Sequence, residues 1–167
     1  CKECYYCKNG FENVCPDSLN SITYKNPDGI SGFCGFGQFV VAKAEDLYIA
    51  NDNVAFEKLA VVEPVACVIN SINNANVEFG DDVLVIGGGT MGMLHVMLAH
   101  MKGANVILSE PVEERRKKAL ELGANAVIDP TRVDVAEEVK RLTDGLGAKI
   151  VFNTTAIPAI ALQALDC

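Results

Sequence analysis

The chain has little of what a nucleic-acid-binding or membrane-spanning protein needs. Its 167 residues include no tryptophan, two histidines, and 14 basic residues against 22 acidic ones, for a net charge of −8. Neither half carries a basic arm. Without clustered Lys and Arg, the counterion release that drives phosphate-backbone binding has no source. No apolar run approaches the roughly 18 residues a membrane span requires, because Val83–Ile86 and the segment after it are broken by glycine. There is no internal repeat, no low-complexity tract, no initiator Met and no charged-then-apolar leader. The chain starts on a Cys of a tight cluster and reads as a piece of something longer. Half of the residues are apolar, which is enough to bury a core. The expectation is a soluble globular chain with no nucleic-acid or membrane partner.

Seven cysteines stand at positions 1, 4, 7, 15, 34, 67 and 167. An odd count, with four in the first fifteen residues, argues against a disulfide framework. It favours reduced, metal-binding thiols and hence the cytosol. Cys1, Cys4, Cys7 and Cys15, spaced C-x-x-C-x-x-C-x7-C, can converge on one tetrahedral metal. Four thiolates leave no open position for substrate, so the expected role is structural zinc. The rival is an iron–sulfur cluster, suggested by the same start and by Cys15-Pro16. The seven-residue gap before Cys15 departs from the three of the bacterial ferredoxin run, and no second cluster motif follows. Cys34, Cys67 and Cys167 read as small apolar fillers.

Residues from Cys1 to about Asp52 read as loops and short strands, with Gln38–Ala42 the best strand candidate. From Phe56 to about Ala75 the apolar residues fall at helical spacing, with Pro64 at a kink or in a first turn. Beyond Gly80 short β runs alternate with helical ones, the rhythm of parallel βαβ units. Strands are predicted at Val83–Ile86, Asn105–Leu108, Ala126–Ile128 and Ile150–Phe152. Helices are predicted at Thr90–Met101, Glu113–Leu122, Val135–Thr143 and Pro158–Leu165. The fold class is α/β, a four-stranded part of a doubly wound parallel sheet preceded by the cysteine lobe. Domains are expected over 1–76 and 77–167.

Gly87-Gly88-Gly89-Thr90-Met91-Gly92 satisfies G-x-G-x-x-G between a predicted strand and a predicted helix, the context that makes this motif informative. Gly87 permits the tight turn, Gly89 lets the backbone approach a pyrophosphate, and Gly92 allows close helix–strand packing. The helix that starts at Thr90 offers free N–H groups and a positive dipole end. Glu110, twenty-three residues after Gly87, can accept from an adenosine ribose and would repel a 2′-phosphate, which favours NAD over NADP. Arg115 either covers the adenosine or belongs to a solvated basic face with Arg116, Lys117 and Lys118. His95 and His100 read as ordinary helix residues. Glu63, before Pro64 in an otherwise apolar stretch, is a carboxylate that needs a partner, a metal or solvent.

In this order, the Cys lobe, the strand-rich stretch, the Glu-Pro helix and the Rossmann unit resemble the medium-chain zinc-containing alcohol and polyol dehydrogenases, above all the sorbitol/threonine dehydrogenase-like branch. The resemblance implies that residues 1–76 are part of a GroES-like catalytic domain whose lobe cysteines hold structural zinc. It also implies that Glu63 stands beside a catalytic zinc as ligand or through a water. It gives Glu110 and Arg115 adenosine-side roles, and it places Thr154, in Asn153-Thr154-Thr155-Ala156, at the nicotinamide pocket, where the usual Gly is absent. The implied activity is zinc-assisted hydride transfer from a secondary alcohol or polyol to NAD by a homo-oligomer. Family members bind the catalytic zinc largely through upstream residues that this chain does not include, so the chain alone is expected to be inactive. A zinc-stabilised nucleotide-binding module without chemistry is the other reading, and the apolar setting of Glu63 argues against it.

Overall fold

The computed structural model describes residues 1–17, 44 and 47–167. The predicted strand Gln38–Ala42 and Cys34 lie outside the described residues. The chain forms two compact units, Cys1–Ala50 and Asn51–Cys167.

The first unit includes, in the cysteine lobe, the short helix α1 (Tyr5–Lys8) and a 3-10 turn over Glu12–Val14. Cys4 is the N-cap of α1, so Cys4 and Cys7 lie on the same side of a single helical turn. The Phe11 N–H donates to Tyr6 O at 2.8 Å, folding the chain back, and the 3-10 turn delivers Cys15.

The second unit opens with α2 (Phe56–Leu59) and α3 (Val62–Asn74), so the predicted 56–75 helix is divided at Ala60-Val61. Pro64 is the third residue of α3, within the first turn, where its missing N–H leaves no helical bond unmade. Four parallel strands follow: β1 (Asp82–Ile86), β2 (Asn105–Ser109), β3 (Ala126–Ile128) and β4 (Ile150–Asn153). They alternate with α4 (Thr90–Met101), α5 (Glu113–Glu121), α6 (Val135–Leu142) and α7 (Pro158–Gln163). The strand order is β3-β2-β1-β4, so β4 forms one edge of the described sheet. Val83 pairs with Val106 on one side and Ile150 on the other.

The sheet is covered on both faces, so β1 is apolar at four consecutive positions rather than alternating with polar residues. The period of two sends Val83 and Val85 to one face and Leu84 and Ile86 to the other. The first face packs Val106, Leu108 and Phe152 against Val68 and Ile72 of α3 and Val96 and Ala99 of α4. The second packs Ile107 and Ile128 against Val135 and Val139 of α6. Each fully buried side chain of this kind contributes about 1.5–3 kcal/mol. Asp134 caps α6 by accepting from the Glu137 N–H at 3.1 Å, an interaction of about 1 kcal/mol. Val135 and Val139, four residues apart, present the apolar stripe.

His95 joins α3 to α4 from within the core. Its Nδ1 lies 2.8 Å from Met91 O and its Nε2 lies 3.1 Å from Ser71 Oγ. A carbonyl only accepts, so Nδ1 donates to Met91, and in the neutral ring Nε2 accepts from the Ser71 hydroxyl. The ring packs on Phe152 with centroids 4.6 Å apart. No helix among the described residues is long and apolar enough to cross a membrane.

Candidate functional site

The strands run parallel, so the loops after β1, β2 and β4 share one end of the sheet. The chain reverses direction across the sheet between β1 and β4, the place where open α/β sheets form a ligand crevice. The glycine loop lies at that end, directly after β1.

Each glycine of the loop answers a different local demand. Gly87 adopts φ +97°, and a Cβ there would come within 2.8 Å of Thr154 Oγ1 and Thr155 Cγ2. A Cβ on Gly88 would meet the Glu110 side chain at 3.0 Å, and one on Gly92 would overlap the Gly87 carbonyl oxygen. Gly89 has open space where its side chain would be. It is the N-cap of α4, and no side chain caps this helix, so the dipole end faces that space. Thr90 and Met91 follow as the first two helical residues.

The loop is tied to strands on both sides. The Gly87 N–H donates to Ser109 O of β2 at 2.9 Å. The Gly88 N–H donates to Glu110 Oε2 at 2.6 Å. On the other side, the Thr154 hydroxyl lies 2.9 Å from Ile86 O and 3.1 Å from Gly87 O and donates to them. Its oxygen fills the volume a Gly87 side chain would need. The Thr154 hydroxyl is thus committed to the loop.

Glu110 is 3 % exposed. Its second oxygen accepts the Val112 N–H at 2.9 Å, and Arg115 Nη1 stands 3.8 Å from Oε2. A carboxylate offers about four lone-pair sites. Two are taken by amides, which leaves capacity for a pair of vicinal hydroxyls. Arg115 is 55 % exposed, whereas Arg116 is 13 % exposed and bonded to the Glu110 and Pro111 carbonyls. Sequence reasoning singled out Arg115 and missed Arg116. Adjacent arginines in a basic run carry no signal of which one turns inward.

Of the partner, metal or solvent expected for Glu63, the structure gives it solvent and the Cys67 thiol, and one expectation about the Glu-Pro helix requires correction. Glu63 is exposed at the start of α3, so the apolar residues beside it in sequence do not bury it. Cys67 is not a buried filler. It is exposed one turn further along, and its thiol donates to Glu63 Oε1 at 3.3 Å, an interaction that pushes the Cys67 thiol up. Both exposures share one cause: the apolar stripe of α3 runs through Val68 and Ile72, on another side of the helix. Cys167 does pack against the core of the second face.

In the first unit the sulfurs of Cys1, Cys4, Cys7 and Cys15 lie within 4.8 Å of one another. Cys15 and Cys1 are 3.5 Å apart and Cys4 and Cys15 3.9 Å apart. Four sulfurs at about 2.3 Å from a tetrahedral zinc are separated by about 3.8 Å. The arrangement therefore fits zinc with little movement, and it is the one group of three or more metal-ligating side chains among the described residues. Desolvation, the largest effect there, pushes the Cys7 thiol up, so metal must displace protons to bind.

A nucleotide-type glycine loop at the switch point of a parallel sheet, with a four-thiol lobe earlier in the chain, defines a metal-carrying dinucleotide-fold protein. Residues 90–167 match the family described as zinc-binding dehydrogenase. The scyllo-inosose 3-dehydrogenase of Thermotoga maritima is 35% identical over 99% of this chain and 43% of its own length. The sorbitol dehydrogenase of Halalkalibacterium halodurans is 33% identical over 99% of this chain and 47% of its own. A zinc-binding dehydrogenase from Sinorhizobium meliloti 1021, solved bound to NADP, superposes with a TM-score of 0.83 at 27% identity, covering 99% of this chain and 47% of that one. Residues 90–167 carry the zinc-binding dehydrogenase domain, and the chain as a whole is similar to curated dehydrogenases. It spans about half the length of the curated relatives it matches.

Proposed function

We propose that the whole protein is a zinc-dependent dehydrogenase that moves hydride between a secondary alcohol or polyol and NAD. The observation that carries this reading is the loop Gly87–Gly92, with its open Gly89, uncapped helix end and neighbouring buried carboxylate. The amides of Gly89, Thr90 and Met91 face the pyrophosphate, the Gly88 amide being committed to Glu110, and Gly92 keeps the helix close enough for its dipole to act there. Glu110 accepts from the adenosine ribose through its remaining lone pairs, while Arg115 covers the adenosine from the solvent side. Thr154 fixes the nicotinamide side by holding the loop.

Zinc in the lobe of Cys1, Cys4, Cys7 and Cys15 is structural, because four thiolates close the coordination sphere. A catalytic zinc would supply Lewis-acid polarisation of the substrate oxygen. Glu63, exposed at the start of α3 and hydrogen-bonded to Cys67, is a residue of this chain that would help hold it, as ligand or through a water. The substrate class is supported by the names of the relatives, a scyllo-inosose dehydrogenase and a sorbitol dehydrogenase. The homo-oligomer implied by resemblance stays part of the proposal.

Family membership does not choose the cofactor, since the Sinorhizobium structure holds NADP. Glu110 does, because a 2′-phosphate would face a buried carboxylate whose nearest cation among the described residues is Arg115, 3.8 Å from its Oε2. The test is fluorescence titration of the whole protein with NADH and NADPH, before and after Glu110→Ala. Hydrogen bonds to charged groups contribute about 1.5–3 kcal/mol, so NADH affinity is expected to fall about tenfold or more. The preference should narrow with it. Equal affinity of the unmutated protein for the two cofactors refutes the assignment. The reading as a binding module without chemistry draws on the exposure of Glu63, and it predicts NADH binding without turnover of any polyol.

A further inference from the structure

The turn that carries Glu110 has few ways to hold itself. The Glu110 N–H donates to Ile128 O at 3.0 Å, the last ladder-like bond between β2 and β3. Pro111 has no N–H, and the Val112 N–H is taken by Glu110 Oε1 at 2.9 Å. The carbonyls of Glu110 and Pro111 are met by one group: Nη1 of Arg116 lies 2.7 Å from each. Arg116 is the fourth residue of α5, and helical side chains lean back toward the N-terminus, which brings its guanidinium under the turn. The other nitrogen of the fork, Nη2, pairs with Asp129 Oδ2 at 3.1 Å, and the two side chains are 13 % and 15 % exposed. Asp129 follows β3 directly. It is itself held by the Thr131 hydroxyl at 2.6 Å and the Thr131 N–H at 3.0 Å, with Arg132 at 3.4 Å. One guanidinium thus clamps the exit of β2 to the exit of β3.

We propose that Arg116 is the positioning residue for cofactor choice, acting through the backbone of Glu110, with Asp129 as its anchor. This rests on the reading of Glu110 as the ribose-facing carboxylate. The Glu110 carboxylate must lie 2.6 Å from the Gly88 amide while it faces a ribose, and that placement is set by the main chain Arg116 holds. The Arg116 charge does not itself attract a 2′-phosphate. It is compensated by Asp129, and its donors are directed at two carbonyls. Lysine cannot reproduce the fork, because it has no planar pair of donors that reaches carbonyl and carboxylate together.

The experiment titrates the whole protein and its Arg116→Ala, Arg116→Lys and Asp129→Asn variants with NADH and with NADPH, and records melting temperatures in parallel. The Kd for NADH is expected to rise about tenfold in all three variants, while that for NADPH changes by less than about twofold, so that the preference narrows. Arg116→Lys, which retains the charge beside Asp129, should recover melting temperature relative to Arg116→Ala without recovering the preference. A merely structural arginine would weaken both cofactors in parallel, and that result overturns the proposal. So does full recovery of the preference in Arg116→Lys. Where the unmutated protein prefers NADH and the variants keep that preference, the proposal alone fails. Where the unmutated protein binds neither cofactor or prefers NADPH, the reading of Glu110 fails and takes the proposal with it.

Discussion

Substituting two glycines of the same loop by alanine should produce two unlike failures. At Gly92 the added methyl would overlap the Gly87 carbonyl oxygen and lie 3.2 Å from Thr154 Oγ1. The obstacle is backbone held by strands, so α4 must retreat until the carbon and oxygen reach ordinary contact at about 3.5 Å. That retreat loosens Val96 and Ala99, which α4 buries against β1 and β2. Overpacking of a well-filled core costs about 1–3 kcal/mol. A backbone obstacle places Gly92→Ala at the upper end, and the helix propensity of alanine returns about 1 kcal/mol. A net loss near 2 kcal/mol lowers Tm by about 4–8 °C in a protein of this size. At Gly89 nothing lies within 4 Å of an added Cβ, and φ is −75°. Gly89→Ala therefore costs at most about 1 kcal/mol, as a poorer N-cap. It fills the space where the pyrophosphate would approach, and NADH binding should weaken at least about tenfold. Thermal melts followed by circular dichroism, with NADH titration of each variant, separate the two. The reasoning is refuted if Gly92→Ala melts within about 1 °C of the parent, or if Gly89→Ala melts as low as Gly92→Ala.

The purified chain should contain one zinc and be colourless, and Cys15→Ser should release the metal; iron with a visible absorbance would move the lobe to the cluster reading. The thiols must lose protons to bind, so zinc retention is expected to fall with acidity, as followed with a chromogenic chelator. The Asp129 carboxyl is held below the usual carboxylate range, first by the Thr131 hydroxyl, then by the Thr131 N–H and the charges of Arg116 and Arg132. A lowered carboxyl stabilises the fold above its unfolded value, near 3.9, and this contribution is lost as pH falls through the folded value. The acid limb of a stability–pH profile should therefore be shallower in Asp129→Asn, and an unchanged limb would show that Asp129 is not coupled to folding. The zinc-loaded 167-residue chain should reduce no NAD with a panel of polyols. His95 is committed to Met91 and Ser71 and the His100 ring packs at Gly123, so neither histidine can join Glu63 at an open zinc site. Turnover that disappears in Glu63→Ala would reverse that conclusion.

The parallel strands were legible because they are short, apolar and separated by glycine-closed helices. Ala126–Ile128 and Thr90–Met101 fall where the pattern places them, and the others agree within two residues. The glycine loop was legible for a related reason: a strand and a helix can be joined that tightly only without side chains. The orientation of individual polar side chains was not legible. The run Arg115-Arg116-Lys117-Lys118 looks uniformly solvated, yet Arg116 is largely covered by partners that precede and follow it in the chain, the Glu110 and Pro111 carbonyls and Asp129. The setting of Glu63 was left open between a partner, a metal and solvent, because local apolar composition does not say which side of the helix meets the sheet, and Glu63 lies off that side. Thr154 was identified by position and not by mechanism, since nothing in its own neighbourhood in sequence names Ile86 and Gly87 as its acceptors.

The tethering of the glycine loop has a consequence for the thermodynamics of cofactor binding. Ordering one residue's backbone costs about 1–2 kcal/mol of entropy. With Gly87 bonded to Ser109, Gly88 to Glu110 and Thr154 to the first carbonyls of the loop, that cost is met when the chain folds and not when the ligand arrives. Calorimetric titration should then show NADH binding with a small conformational-entropy penalty. Thr154→Ala, which unties one side, should make the binding entropy more unfavourable at a similar heat-capacity change, because the apolar surface buried by the cofactor would be unaltered. An unaltered entropy in that variant would mean that the bonds to Ser109 and Glu110 are sufficient to keep the loop in place.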